Sequence, residues 1–400
     1  MSVTAVPGFE AGGIASGIKA SGRPDLALVA TADRVPVAAA GVFTTNLACA
    51  APVQVSRSHL HDGRAAAVVL NSGNANAATG EAGRAVARRM CELTAERLGC
   101  AVHDVLVCST GLIGIPLGLD PIERGLPELA VRLRADRPGG QAAADAILTT
   151  DTVRKEALVS IALPGGPTLV AGGMAKGAAM LQPAMATMLA VVTTDAAVAA
   201  GALRRALAFA VADTFNALLV DGCTSTNDTV LVLANGTAGN EPIERPAGPA
   251  FHALVDALTG VCDSLAEQMA RDAEGATKLA TVVVRGARSD AEARLAARNV
   301  ACSQLVQYSL YGQDPYWGRI LSELGASGAF LDPERVDISY DGVVVCRDGV
   351  AAEHDAVSVA KSMQGREIVI EAQLHQGGGE ARVRFTDLTP AYIEENKGTS

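Results

Sequence analysis

Short apolar runs flanked by turn-forming residues recur along the chain. They fall at residues 26–30, 65–70, 105–108, 157–163 and 188–192, then at 229–234, 279–284, 336–340, 342–346, 367–372 and 381–385. Runs of this length, rich in Val, Ile and Leu, predict buried strands rather than helices. Between them, apolar positions spaced three and four apart predict helices over 80–98, where Ala87, Met90, Cys91 and Leu98 share one face, and over 196–211, 250–271 and 289–301. Strands and helices interleave throughout, which predicts an α/β (α+β) class. The Pro-rich stretch 240–249 (NEPIERPAGP) reads as a loop, and a softer boundary falls near 286–289.

Composition sharpens this picture. Hydrophobic residues make up 49% of the chain and aromatics only 3%, so Ala, Val, Leu and Gly must fill a large core, and global disorder is excluded. The net charge of −10 disfavours nucleic acid or an anionic membrane as the main partner, while leaving room for a local basic pocket. The first residues lack a basic segment followed by an apolar one, and no apolar run approaches a membrane span; a cytoplasmic location is expected. The eight cysteines form no C-x-x-C pair and read as buried, reduced thiols. The six histidines show no metal-ligand spacing. No P-loop, no strand-linked G-x-G-x-x-G and no G-x-S-x-G elbow is present, so a kinase, a Rossmann dehydrogenase or an α/β-hydrolase has no support.

Three stretches carry candidate chemistry. Residues 71–80 (NSGNANAATG) read as a turn able to present backbone N–H groups, or equally as a strand–turn–helix junction. Residues 108–114 (CSTGLIG) place a hydroxyl beside a glycine at a strand end, the arrangement an oxyanion hole needs, though ordinary turns share it. Residues 172–192 read as a glycine-rich loop with one lysine and one proline, entering a buried strand that opens at Thr187.

Within that third stretch, KGAAMLQPAMATML (176–189) resembles the self-cleavage segment of the ornithine acetyltransferase (glutamate N-acetyltransferase) family. SGRPDLAL, AAGVFTTN, NSGNANAATG, STGLIG, TTDT, TSTNDT, RDAEGATK, DPYWGR and AYIEEN match further family segments in the same order along the whole chain.

The resemblance implies a layered α/β/β/α sandwich of the ornithine acetyltransferase and N-terminal-nucleophile aminopeptidase type, with a smaller C-terminal subdomain. It implies self-cleavage between Ala186 and Thr187 into an alpha chain (1–186) and a beta chain (187–400). The sandwich would span 1–285 and the subdomain 286–400. Thr187 would be the nucleophile, with its freed α-amine as base. Thr110 and Gly111 would be the oxyanion donors, and Thr149, Lys176, Thr187, Glu274, Asn396 and Ser400 the substrate contacts. The implied reaction moves the acetyl group of N-acetylornithine to glutamate through acetyl-Thr187, in arginine biosynthesis. No cofactor and no metal are implied; acetyl-CoA as a second acetyl donor stays open. The implied assembly is a heterotetramer of two alpha and two beta chains, each chain's first partner being its own cleaved fragment.

The chain also departs from the family pattern. Gln307 stands where the family has lysine, Tyr316 where it has asparagine and Ala179 where it has glycine, Cys223 replaces a common aspartate, and the tail is one residue short and lacks a tyrosine. Pocket polar groups set selectivity, so an acyltransferase for a related N-acylated amino acid is an alternative. A second is an N-terminal-nucleophile amidase or aminopeptidase, and a third is an uncleaved binding protein.

Overall fold

The computed structural model describes residues 2–180 and 188–397. Its centre is a pair of sheets packed face to face. The first has four strands in the order Phe9–Ile14, Leu26–Thr31, Ala67–Asn74, Val105–Leu112. The second has six, in the order Arg64–Ala65, Val37–Phe43, Thr229–Ala234, Leu189–Thr194, Thr168–Lys176, Lys155–Ala162.

Alternating side chains explain why the strands read as continuous apolar runs. Ala27, Val29, Val68, Leu70, Leu106 and Cys108 of the first sheet meet Met174, Leu189, Val191, Leu231 and Leu233 of the second. The opposite faces are buried too. Leu26, Leu28, Val69, Val105 and Val107 pack against Ala87 and Met90 of helix Gly80–Leu98 and Ile122 and Leu126 of helix Asp120–Val131. Ala190, Val192, Val230 and Val232 pack against Leu203 and Leu207 of helix Ala200–Ala212 and Leu258 and Leu265 of helix Pro249–Arg271. A strand covered on both faces loses its polar alternation. The layers therefore run α/β/β/α, as expected from the sequence.

A third, seven-stranded sheet follows the order Leu218–Leu219, Gly379–Thr386, Leu279–Ala287, Glu367–Gln373, Asp337–Tyr340, Val343–Arg347, Val350–Ala351. Its core includes Val300, Leu310, Ile320 and Met363 from four helices. The expected division at 285/286 falls inside strand Leu279–Ala287, which is paired on both sides within this sheet. Among the described residues no helix is long and apolar enough to cross a membrane.

Two expectations need correction. The glycine-rich loop expected from residue 172 is, through Lys176, part of strand Thr168–Lys176. Its glycines admit close packing: a Cβ on Gly173 would lie 2.7 Å from Val261 of the covering helix, and one on Gly172 2.6 Å from the Ser2 carbonyl oxygen. The turn expected over 71–80 begins later, because strand Ala67–Asn74 carries Asn71–Asn74 into pairing with its parallel neighbour. Only 75–79 is a junction, entered through positive φ at Asn76 (47°) and Ala78 (57°) before helix Gly80–Leu98.

Candidate active site

The end of strand Val105–Leu112 supplies the first site element. Its parallel pairing sets Gly111 beside Gly73, and Gly111 adopts φ 133°. A Cβ there would lie 2.3 Å from the Gly73 carbonyl carbon, so only glycine fits. Thr110 is buried, and its hydroxyl makes no hydrogen bond to another described residue. Next to it, Ser109 Oγ donates to Asn71 Oδ1 (2.5 Å). Burial pushes the Cys108 thiol up to about 12, which removes it as a competing nucleophile.

Asn227 and Asp228 connect this strand end to the neighbourhood of the expected nucleophile. Asn227 Nδ2 donates to the Ala75 and Ser109 carbonyl oxygens (2.7 and 2.8 Å). The Met188 N–H donates to Asp228 Oδ1 (2.9 Å). The residue that follows 187 and the residue that precedes Thr110 are thus held by consecutive side chains. Burial raises the Asp228 carboxyl well above the usual carboxylate range, and its hydrogen bonds do not offset that. On the other side of 181–187, the Met180 N–H donates to Asp221 Oδ2 (2.5 Å). Ala186, Thr187 and Ser400 lie outside the described residues.

Lys176 closes strand Thr168–Lys176 and is buried. Its Nζ donates to Thr149 Oγ1 (2.6 Å) and lies 3.7 Å from Asp151 Oδ2. Asp151 is the hub: its Oδ1 also takes Lys155 Nζ (2.5 Å) and the Gly177 N–H (2.7 Å), and Lys155 reaches on to Asp272 (2.5 Å). Burial would raise Asp151, but Lys176, Lys155 and these hydrogen bonds outweigh it and hold the carboxyl far below its usual range. Burial pulls the Lys176 ammonium down, while the charges of Asp151 and Glu274 act the other way.

Glu274 and Asn396 come together. Glu274 is buried, its N–H donates to the Ala178 carbonyl (2.9 Å), and its Oε2 accepts from Asn396 Nδ2 (2.8 Å). Asn396 follows the short helix Pro390–Glu395, which sits directly on Gly275. A Cβ on Gly275 would lie 2.3 Å from the Tyr392 nitrogen. Thr389 Oγ1 donates to the Gly275 carbonyl (2.7 Å) and Tyr392 OH to Asp221 Oδ2 (2.9 Å).

Thr149 thus meets Lys176, Glu274 meets Asn396 and feels the Lys176 charge, and the Thr110–Gly111 strand end is tied through Asn227 and Asp228 to Met188. Among the described residues no group of three or more His, Cys, Asp or Glu side chains could hold a metal ion. Sequence reasoning missed the supporting carboxylates Asp151, Asp221, Asp228 and Asp272. Asp151, Asp228 and Asp272 stand inside the quoted motifs, but their partners lie far away in sequence.

Residues 10–398 match the ArgJ family model. The chain belongs to the ArgJ family. The arginine biosynthesis bifunctional protein ArgJ of Symbiobacterium thermophilum is 48% identical over 396 residues, covering 98% of this chain and 97% of that protein. The protein of the same description from Mycobacterium tuberculosis is 46% identical over 403 residues, covering 100% and 96%. The crystal structure of arginine biosynthesis bifunctional protein argJ from Bacillus halodurans aligns with a TM-score of 0.50 and 38% identity, over 52% of this chain and 98% of that one. This ArgJ-family chain is an enzyme of the acyltransferase class acting in arginine biosynthesis, in line with the sequence resemblance.

Proposed function

We propose that this ArgJ-family chain moves the acetyl group of N-acetylornithine to glutamate by a ping-pong reaction through acetyl-Thr187, after cutting itself between Ala186 and Thr187. The observation that carries the proposal is the shared grip of Asn227 and Asp228. It ties the Thr110–Gly111 strand end and the Met188 N–H to adjacent residues. The Bacillus halodurans chain adds support. It is matched almost completely by half of this chain, whereas whole-length relatives align end to end, as a chain from a cut precursor would.

Cleavage frees the Thr187 α-amine, whose pKa of about 7.7–8.0 lets it accept a proton near neutrality. Thr187 Oγ attacks the acetyl carbonyl carbon, and its proton passes to that amine. The Thr110 hydroxyl and the Gly111 N–H stabilise the tetrahedral oxyanion. Collapse breaks the amide bond, the proton goes to the departing amine, and ornithine leaves. The glutamate amine then attacks the acetyl ester, and the steps reverse to release N-acetylglutamate. Lys176, with Thr149, takes the substrate α-carboxylate; Glu274, with Asn396, takes the ornithine side-chain ammonium. Ser400 supplies the final tail contact. No cofactor is needed, because the acetyl group rests on the enzyme; acetyl-CoA would act as a second donor into the same ester. The two fragments stay together and pair into a heterotetramer.

Acetyl transfer from N-acetylornithine to glutamate, measured with the wild type and Thr187→Ala, tests the reading. The wild type should show fragments 1–186 and 187–400 by mass spectrometry and turn over. The variant should stay whole and inactive. An uncut wild type at full activity would refute the mechanism, and deacylation at the same rate with and without glutamate would point to a hydrolase.

A further inference from the structure

Lys19 is absent from the set of site residues, yet the fold delivers it to the same region. The loop that carries it is wound around Asp25, which is fully buried. Asp25 Oδ1 accepts from the Ser16 N–H (2.6 Å) and Ser16 Oγ (2.8 Å). Its Oδ2 accepts from the N–H groups of Gly17 (3.1 Å), Ile18 (2.7 Å) and Lys19 (2.9 Å). Five donors converging on one carboxylate fix the backbone from which Lys19 projects, so the lysine is placed rather than trailing in solvent.

The stem of Lys19 lies over Gly73, where a Cβ would come within 2.9 Å of Lys19 Cγ. Gly73 is the register partner of Gly111. The ammonium reaches to the opposite side of the region, donating to the carbonyl oxygens of Pro24 (2.7 Å) and Leu148 (2.7 Å). Leu148 immediately precedes Thr149, which binds Lys176. Lys19 thus bridges the oxyanion strand end and the Thr149–Lys176 corner.

Its partners differ in kind from those of Lys176. Lys176 stands against the Asp151 carboxylate, whereas the Lys19 ammonium contacts only neutral carbonyls among the described residues. Two carbonyls use two of its three protons and none of its charge. Half-burial pulls it down to about 8, with Asp25 acting in the opposite sense. A half-buried cation with a spare donor is suited to an incoming carboxylate.

We propose that Lys19 is a specificity-determining residue for the acceptor, binding the second carboxylate of a dicarboxylic amino acid. The inference rests on the acetyl-transfer reading above. The donor N-acetylornithine carries one carboxylate, which Lys176 satisfies. The acceptor glutamate carries two, and Lys19 is the cation placed for the extra one.

The two half-reactions separate this role from a structural one. Ornithine release on mixing enzyme with N-acetylornithine reports acylation; loss of acetyl-Thr187 on adding glutamate or glutamine, followed by mass spectrometry, reports deacylation. The wild type should prefer glutamate to glutamine. Lys19→Met should raise the KM for glutamate by roughly 10- to 100-fold, the scale of one charge-assisted hydrogen bond, and erase that preference. Ornithine release should change far less. Lys19→Arg, which keeps the charge, should retain the preference and decides the matter if Lys19→Met does not fold. Equal losses in both half-reactions, or a glutamate preference that survives in Lys19→Met, would overturn the proposal. Failure of the wild type to release ornithine or form the ester would instead overturn the acetyl-transfer reading beneath it.

Discussion

Two buried aspartates near the site are stabilised in opposite ways. Asp151 keeps its charge because two lysines and a backbone N–H surround it. At Asp228 burial outweighs its hydrogen bonds and the charge of Lys176 and favours the neutral acid, while Oδ1 still accepts the Met188 N–H. A carboxyl with a raised folded-state pKa contributes stability that is fully present below its unfolded value, about pH 4, and lost as pH rises through the folded value. Asp228→Asn copies the neutral acid without titrating. The wild-type urea midpoint should therefore fall relative to that of Asp228→Asn as pH rises above about 4; a pH-independent difference would show that the carboxyl is not held neutral. Beyond the Thr110–Gly111 pair, the candidate site residues stand out only through the family motifs. Lys176 alone reads as a solvated loop lysine and Glu274 as a helix-end cap. The Lys155–Asp272 contact that braces Lys176 through Asp151 joins residues 117 apart, and no local pattern announces it.

Short elements position the site. The helix Pro390–Glu395 would be marginal alone, since isolated helices this short are unstable in water. It is held by Gly275, whose missing side chain admits the Tyr392 backbone. Gly275→Ala should lift this helix, separate Asn396 from Glu274 and raise the KM for N-acetylornithine with a smaller change in kcat; an unchanged KM would show that the tail does not contribute to binding. Legibility of the elements followed side-chain chemistry. Strand Thr229–Ala234 matched its expected bounds because its valines and leucines leave no alternative. Strands Phe9–Ile14 (FEAGGI) and Val37–Phe43 (VAAAGVF) went unseen, because Ala- and Gly-rich sequences carry little intrinsic strand preference and tertiary pairing decides them. Helix Arg137–Ala146 was hidden by its opening Arg-Pro-Gly-Gly; the Asp136 side chain starts it by accepting from the Gly139 N–H (3.1 Å).

At the scale of the molecule, the α/β class was legible because strands and helices alternate and the α/β/β/α layering only through the family resemblance, while the third sheet's claim on Leu279–Ala287 was not. The second sheet is stitched from both sides of the proposed cut. Strand Thr168–Lys176 pairs with Leu189–Thr194, and Val37–Phe43 with Thr229–Ala234. Fragments 1–186 and 187–400 should therefore co-elute at the mass of the intact chain or its multiples and separate only with global unfolding. Release of either fragment under native conditions would contradict this topology.

If the chain cuts itself as proposed, the pairing of Thr168–Lys176 with Leu189–Thr194 also makes maturation a one-way step. Before scission, these strands meet as parts of one tethered chain, and bringing them together costs only loop closure. Afterwards the same contact becomes a bimolecular encounter between two incomplete halves. Renaturation of denatured mature enzyme should become less efficient on dilution, whereas the uncut precursor should recover equally at any low concentration.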